Sequence, residues 1–300
     1  MKLIVFDVGN AACSVISSPT NIGMMIDCGS NSEKTNPVDL YKANKEWLGT
    51  TPFVKSDGTK YELGLLHITH PDDDHIRNAK RIKEEIEPYL LRKREYEEFP
   101  DGDKINDDYK KYIDKKYRGS NPEKIDWGFD ENKTFQIPMD TLKSDELLSK
   151  KLRNNSSILR YIKHNGVRIL YSGDLESAGW DWLINNNASF TNTISEGIDI
   201  LIAPHHGHKS GFPSALFEKT GNVKCVIHSK GSESTIEGTD VSNQYSQYTD
   251  GVDFKNLTNK SMYRGKILTT RSNGNIYIRI NKSTFDVWTT KSASRHEKID

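Results

Sequence analysis

Directly after a nearly unbroken apolar run, Leu63-Gly64-Leu65-Leu66-His67-Ile68-Thr69, the chain reads His70-Pro71-Asp72-Asp73-Asp74-His75. Such side chains gain nothing from a core. Packed together they repel and cost desolvation unless a cation neutralises them. Zn²⁺ takes imidazole nitrogen and carboxylate oxygen, and Mn²⁺ takes the same set with more oxygen. The bland alternative is a helix N-terminus, where Asp is favourable. It accounts for Asp72 to Asp74 but not for the flanking histidines. The apolar run predicts a strand buried on both faces, so the cluster sits in a loop on a rigid scaffold.

The rest of the chain reads as strands with helices between them. Lys2 to Phe6, Ala12 to Ser17 and Gly23 to Ile26 form a meander, with Pro19-Thr20-Asn21 as one turn. Val38 to Leu48 has a helical period. His164-Asn165-Gly166 joins Ser156–Ile162 to Val167–Tyr171 as a hairpin. Further strands are expected at Ile198–Ala203, Val223–His228, Gly265–Thr270, Asn275–Ile280 and Thr284–Thr289, and helices near Trp180 and Pro213. Residues from about 77 to 133 are crowded with charges of both signs and read as a solvated helical insertion broken at Pro88. Residues 1–300 then form one domain carrying that insertion. Its Arg92, Lys93, Arg94, Lys110, Lys111, Lys115 and Lys116 are candidates for one wall of a substrate groove.

Composition excludes some partners. Lys+Arg and Asp+Glu are 42 each, so the formal net charge is zero. That excludes a strongly basic nucleic-acid coat protein and an acidic solvating tail, though not a local basic groove. No apolar run approaches the roughly 20 residues that span a bilayer, and MKLIVFDVG reads as a strand rather than the centre of a signal peptide. Cys13, Cys28 and Cys225 form no CxxC pair and read as buried free thiols. A cytoplasmic location, with no membrane partner, is the expectation.

Two further clusters close apolar strands: Ser172-Gly173-Asp174 and Pro204-His205-His206-Gly207-His208. Gly-Asp alone is ordinary turn chemistry. Three histidines in four residues point to a metal or phosphate site. The order Asp7-x-Gly9, Asp27-Cys28-Gly29, His70-x-Asp72-x-Asp74-His75, Gly173-Asp174 and Pro204-His205-His206-Gly207 resembles the metallo-β-lactamase superfamily. Asp72 stands where the family motif HxHxDH has its second His. With Asn154-Asn155-Ser156-Ser157 before the hairpin, the pattern looks most like the ComEC-type competence-protein hydrolase domain.

The resemblance implies an α+β fold, an αββα sandwich, with two divalent metal ions, Zn²⁺ or Mn²⁺, at one edge. His70 and Asp72 would hold the first ion, and Asp74, His75 and His206 the second. Asp174 would bridge them, and His205 is the second choice for the histidine of the last motif. Asp7 and Asp27 match framework positions. The family supplies a His before the bridging Asp, and Asn154-Asn155-Ser156 stand there instead. Asn155, His205 or water would have to fill that ligand position. Asp72, Asp74 and Asp174 with one bridging hydroxide would balance two divalent ions, leaving a neutral site open to an anionic phosphodiester. The implied activity is metal-dependent phosphodiester hydrolysis by that hydroxide, with Asp74 orienting it. A nuclease acting on nucleic acid is the leading expectation. Hydrolysis of a small phosphodiester such as a cyclic nucleotide, and a non-catalytic binding role, are the alternatives. His208, His205 and His228 are candidates for the leaving-group acid, and a protein partner is left open.

Overall fold

The computed structural model describes residues 1–31, 35–113, 124–231, 241–291 and 296–299. The first part of the chain contains β1 (Lys2–Val5), β2 (Ser14–Ser17) and β3 (Gly23–Ile26), a small hairpin of β4 (Phe53–Val54) and β5 (Lys60–Tyr61), then β6 (Leu63–His67) and β7 (Pro88–Arg92). The middle contains β8 (Glu131–Phe135), β9 (Leu159–His164), β10 (Val167–Tyr171), β11 (Ile200–Ile202) and β12 (Cys225–His228). The last part adds β13 (Val252–Asn256), β14 (Met262–Gly265), β15 (Ile267–Thr269), β16 (Ile276–Ile280), β17 (Phe285–Thr289) and β18 (Glu297–Ile299). They assemble into a ten-stranded sheet, β18-β14-β13-β17-β16-β1-β2-β3-β6-β7, and a six-stranded sheet, β15-β12-β11-β10-β9-β8.

Alternation along each strand sorts side chains into three apolar layers. Leu3, Val5, Ile16 and Ile26 of the first sheet meet Ile162, Ile169, Tyr171, Ile200 and Ile227 of the second. On the outer face of the first sheet, Ile4, Phe6, Val15 and Leu66 pack against Val38, Tyr41 and Leu48 of helix Pro37–Leu48 and Ile82 of helix Ala79–Glu85. Outside the second sheet, Tyr161, Leu170, Leu201 and Val226 pack against Trp180, Phe190 and Phe217 on three helices. The layering is the expected αββα sandwich. β3 and β6 run parallel, as do β10, β11 and β12. The loops at their C-terminal ends carry Asp27, His70–His75, Asp174, His205–His206 and Ser229. No helix of the described residues is long and apolar enough to cross a membrane.

The charged region corrects its sequence reading. Pro88 does not break a helix; it opens β7, which pairs in parallel with β6 at the edge of the first sheet. Pro is tolerated at the first residue of an edge strand, where a missing N–H costs least. Glu131–Phe135, partly inside the expected insertion, is the edge strand of the second sheet. Ile82, Ile86, Phe99, Ile105 and Tyr109 are buried in the outer core of the first sheet. The segment's charges cover apolar anchors too widely spaced to stand out. The expected strand Gly265–Thr270 is also divided: β14 ends at Gly265 in the first sheet and β15 joins the second. The expected groove wall is similarly altered. Arg94 is buried and donates to the carbonyls of Ser156 (3.2 Å) and Ile137, and Lys110 pairs with Asp107 at 2.9 Å. Lys115 and Lys116 lie outside the described residues.

Asp199 fixes the start of β11. Its carboxylate accepts from the Arg168 N–H and Nε at 2.9 Å each and pairs with Lys224 Nζ at 2.9 Å. Burial pushes the Asp199 carboxyl up, but Arg168 and Lys224 outweigh that and hold it below the ordinary range. Asp199→Ala should lower stability in urea unfolding by about 2–3 kcal/mol at neutral pH. A depressed carboxyl stabilises fully above its unfolded value, about pH 4, and loses that contribution as the pH falls through the native value. The deficit of the variant should therefore shrink in acid.

Candidate metal centre

Asp27 is the anchor. It adopts a left-handed backbone (φ 57°) at the end of β3, and its carboxylate is buried. Oδ1 accepts from the Thr69 N–H at 2.8 Å; Oδ2 accepts from the Thr69 hydroxyl and meets His75 Nδ1, both at 2.8 Å. A carboxylate on Nδ1 places the histidine proton there and leaves Nε2 as a bare lone pair. His75 Nε2 is buried without a hydrogen-bond partner and lies 3.2 Å from Asp174 Oδ1. Behind it, Gly29 packs so closely that a Cβ would stand 1.5 Å from the Asp74 carbonyl oxygen. The loop that carries Asp74 and His75 thus rests on backbone.

His70 is fully buried and its Nε2 also has no hydrogen-bond partner. It lies 3.6 Å from Asp72 Oδ2 and 3.8 Å from Asp174 Oδ2. Those separations exceed a hydrogen bond. Two ligand atoms bonded to one ion at about 2.0–2.2 Å stand roughly 3–3.6 Å apart, which is close to the spacing seen. Asp72 occupies the N-cap position of the helical turn Asp73–Ile76, yet its side chain makes no capping bond. Arg153 takes Oδ1 at 3.3 Å, leaving Oδ2 toward His70. Helix capping therefore does not explain Asp72. Asp73 faces away, bonded to Arg77 and to Asn106.

The second sheet supplies the other half. Ser157 Oγ accepts from the Asp174 N–H at 3.0 Å, and Gly173 (φ 53°) leaves no room for a Cβ, which would meet Ser157 Oγ at 2.7 Å. After β11, His205, His206 and Gly207 are all left-handed, with φ of 48°, 53° and 78°. That run of unfavourable backbone turns adjacent histidines toward the site and is the kind of strain found at functional loops. A Gly207 Cβ would strike the His228 ring at 2.3 Å, so His228 packs under the loop. His206 Nδ1 meets the Ser229 carbonyl at 2.6 Å, and its Nε2 is 3.1 Å from Asp74 Oδ2 and 3.8 Å from Asp174 Oδ2. His205 Nε2 is 3.8 Å from Asp174 Oδ2.

Asp74, His75, Asp174 and His206 each offer one ligand atom within 4.8 Å of the others, a set that could hold a metal ion. A cavity of about 30 Å³ between Asp27, Thr69, His75, Asp174, His206 and Ser229 has room for one water or ion. Burial raises the Asp174 carboxyl, but His75, His206 and His70 outweigh it and hold it well below the ordinary range. Burial lowers His75 and His206, and the carboxylates around them more than reverse that. The cluster stabilises positive charge, and a cation entering it would displace protons.

Of the expected ligands, His70, Asp72, Asp74, His75, Asp174, His205 and His206 each have a ring or carboxylate atom within 4 Å of another of the set. His208 Nδ1 accepts from the Ser210 N–H, and its ring centroid is 5.0 Å from that of His205. Asn155 is excluded as a ligand: its amide donates to Leu148 O at 3.0 Å and its Oδ1 accepts from the Glu176 N–H at 3.2 Å. Asp7 pairs with Lys291 rather than with the site. Sequence reasoning missed Arg153, Glu176 and Ser229, whose partners lie far away along the chain. A larger cleft of about 550 Å³ lies on the outer side of β13, β14, β16 and β17, and contains none of the histidines.

No protein-family model matches the sequence, and no curated protein does. Solved structures with a similar course are metallo-β-lactamase fold proteins. YhfI from Bacillus subtilis is 10% identical, covers 92% of this chain and 99% of its own, and has a TM-score of 0.45. A proposed Zn-dependent hydrolase of the metallo-β-lactamase superfamily from Thermotoga maritima is 9% identical over 90% and 98% of the two chains, with a TM-score of 0.38. A variant metallo-β-lactamase from Cronobacter sakazakii is 13% identical over 66% and 74%, with a TM-score of 0.33. Likenesses this distant bear on neither substrate nor chemistry.

Asp27→Asn removes no cluster ligand but weakens the hold on His75 Nδ1. It should lower Zn²⁺ affinity about 10–100-fold in a chelator competition. Unchanged affinity would show that His75 does not bind the ion.

Proposed function

We propose that the chain is a dinuclear metal-dependent hydrolase of phosphodiester bonds, a nuclease resembling the ComEC-type domain. The observation that carries the reading is Asp174, whose two oxygens lie between buried imidazole nitrogens that have no hydrogen-bond partner. His70, Asp72 and Asp174 would hold one ion. Asp74, His75, His206 and Asp174 would hold the other. The mixed nitrogen and oxygen donors suit Zn²⁺ or Mn²⁺. Such ions polarise a phosphoryl oxygen and lower the pKa of water toward neutrality.

The chain's own groups do the rest. Asp27 and the Ser229 carbonyl fix the rings of His75 and His206. Asp74, partly exposed beside His206, holds and orients the attacking water. His208 would protonate the leaving oxygen. A backbone N–H on Nδ1 fixes its neutral proton on Nε2, ready to donate.

The test is metal uptake followed by turnover. The purified chain should take up two equivalents of Zn²⁺ or Mn²⁺ and then cleave bis(p-nitrophenyl) phosphate and at least one of single-stranded DNA, double-stranded DNA or RNA. Asp74→Asn combined with His75→Ala should abolish cleavage while the circular dichroism spectrum persists; retained turnover sinks the assignment. A small phosphodiester is the second reading, favoured by the burial of Arg94 and the pairing of Lys110, which remove two groove cations. Nucleic-acid binding that does not weaken as salt rises would favour that reading, because polymer binding releases counterions.

A further inference from the structure

Against the metal set of the resembled family this chain has a gap: Asn154-Asn155-Ser156 stand where the family supplies a histidine before the bridging Asp. Both ends of the Asn155 amide are used by backbone groups, so it does not fill the gap. We propose that His205 is the missing ligand of the first ion, turned to that task by Glu176 and Asn154. The inference rests on the dinuclear reading above.

Three observations converge. His205 Nε2 and His70 Nε2 are each 3.8 Å from the same oxygen, Asp174 Oδ2. His206 Nε2 is at the same 3.8 Å from that oxygen but is held to Asp74 Oδ2 at 3.1 Å, which leaves His205 Nε2 to join His70 and Asp72, whose Oδ2 is 3.6 Å from His70 Nε2. His205 Nδ1 faces Glu176 Oε1 at 3.1 Å, and the Asn154 amide donates to that same oxygen at 2.8 Å. An Nδ1 proton given to Glu176 leaves Nε2 bare toward Asp174, as Asp27 does for His75. The third is the backbone. His205 is left-handed (φ 48°), an uncommon conformation for a residue other than glycine, and that conformation turns adjacent rings into the site. Asn154 stands in the segment from which the family would supply its histidine, and it braces Glu176 instead.

This assignment separates His205 from the leaving-group acid. A ring whose Nε2 binds an ion has no proton there to give, which leaves that task to His208. Glu176 is a positioning residue, since it acts only through His205.

His205→Gly and Glu176→Gln test the proposal, read by bound metal rather than turnover. Gly accepts the left-handed backbone without strain, so the first variant removes the ring and leaves the loop. After dialysis against buffered Zn²⁺, elemental analysis should give two ions per wild-type chain and one per His205→Gly chain. Glu176→Gln should keep two at saturation but bind the weaker ion about 10–100-fold less tightly. In the Co²⁺ forms, the visible spectrum of one ion should change in Glu176→Gln and vanish in His205→Gly. Two ions at wild-type affinity in both variants would overturn the assignment of His205 alone. Fewer than two in the wild-type chain would overturn the dinuclear reading and this inference with it.

Discussion

One buried carboxylate organises the edge that carries the candidate metal ligands. Asp27 leaves β3 in a left-handed turn and accepts from a backbone N–H, a hydroxyl and an imidazole. A buried charge is tolerated only when it is paired and hydrogen-bonded. Asp27 meets that condition only if Thr69 and His75 stand where they do. Satisfying the charge therefore sets the exit of β6 and aims His75 Nε2 at Asp174. Gly29, one step from Cys28, admits the Asp74 backbone to contact with no side chain between.

The second sheet meets this fixed half with left-handed backbone, which Gly173 and Gly207 accept freely and which is strained at His205 and His206. Gly173 and the run His205-His206-Gly207 all have positive φ. Each is supported by a contact that a different conformation would lose: Ser157 on the Asp174 N–H, the Gly173 carbonyl on the His205 N–H, Ser229 on His206 and the His228 ring beneath Gly207. Strain of this kind survives where the surroundings over-determine it. Here the surroundings are the ends of three parallel strands, β10, β11 and β12.

Much of this was legible in the sequence. His70-Pro71-Asp72-Asp73-Asp74-His75 announces a cation because residue types alone make the cluster costly without one. Short, strongly apolar strands such as β6 and β10 were equally clear, and so was the Asn165-Gly166 hairpin. β7 was not, because its Tyr89-Leu90-Leu91 lies between dense charges and a leading Pro that reads as a helix breaker. The role of Asp73 was indistinct until Arg77 and Asn106 were seen to hold it outward. Glu176 carried no signal: it is one acid among 42 acidic residues, and only tertiary contact brings it to His205.

The candidate ligands divide between the two sheets. His70, Asp72, Asp74 and His75 follow β6, whereas Asp174, His205 and His206 follow β10 and β11. An ion gripped by both groups is a rivet between the leaves of the sandwich, at the edge where their apolar filling gives way to mutually repelling acids. Occupancy then adds to the cohesion of the whole molecule through mass action. Were the cluster to hold an ion, metal supply would bear on the stability of the sandwich as well as on the site.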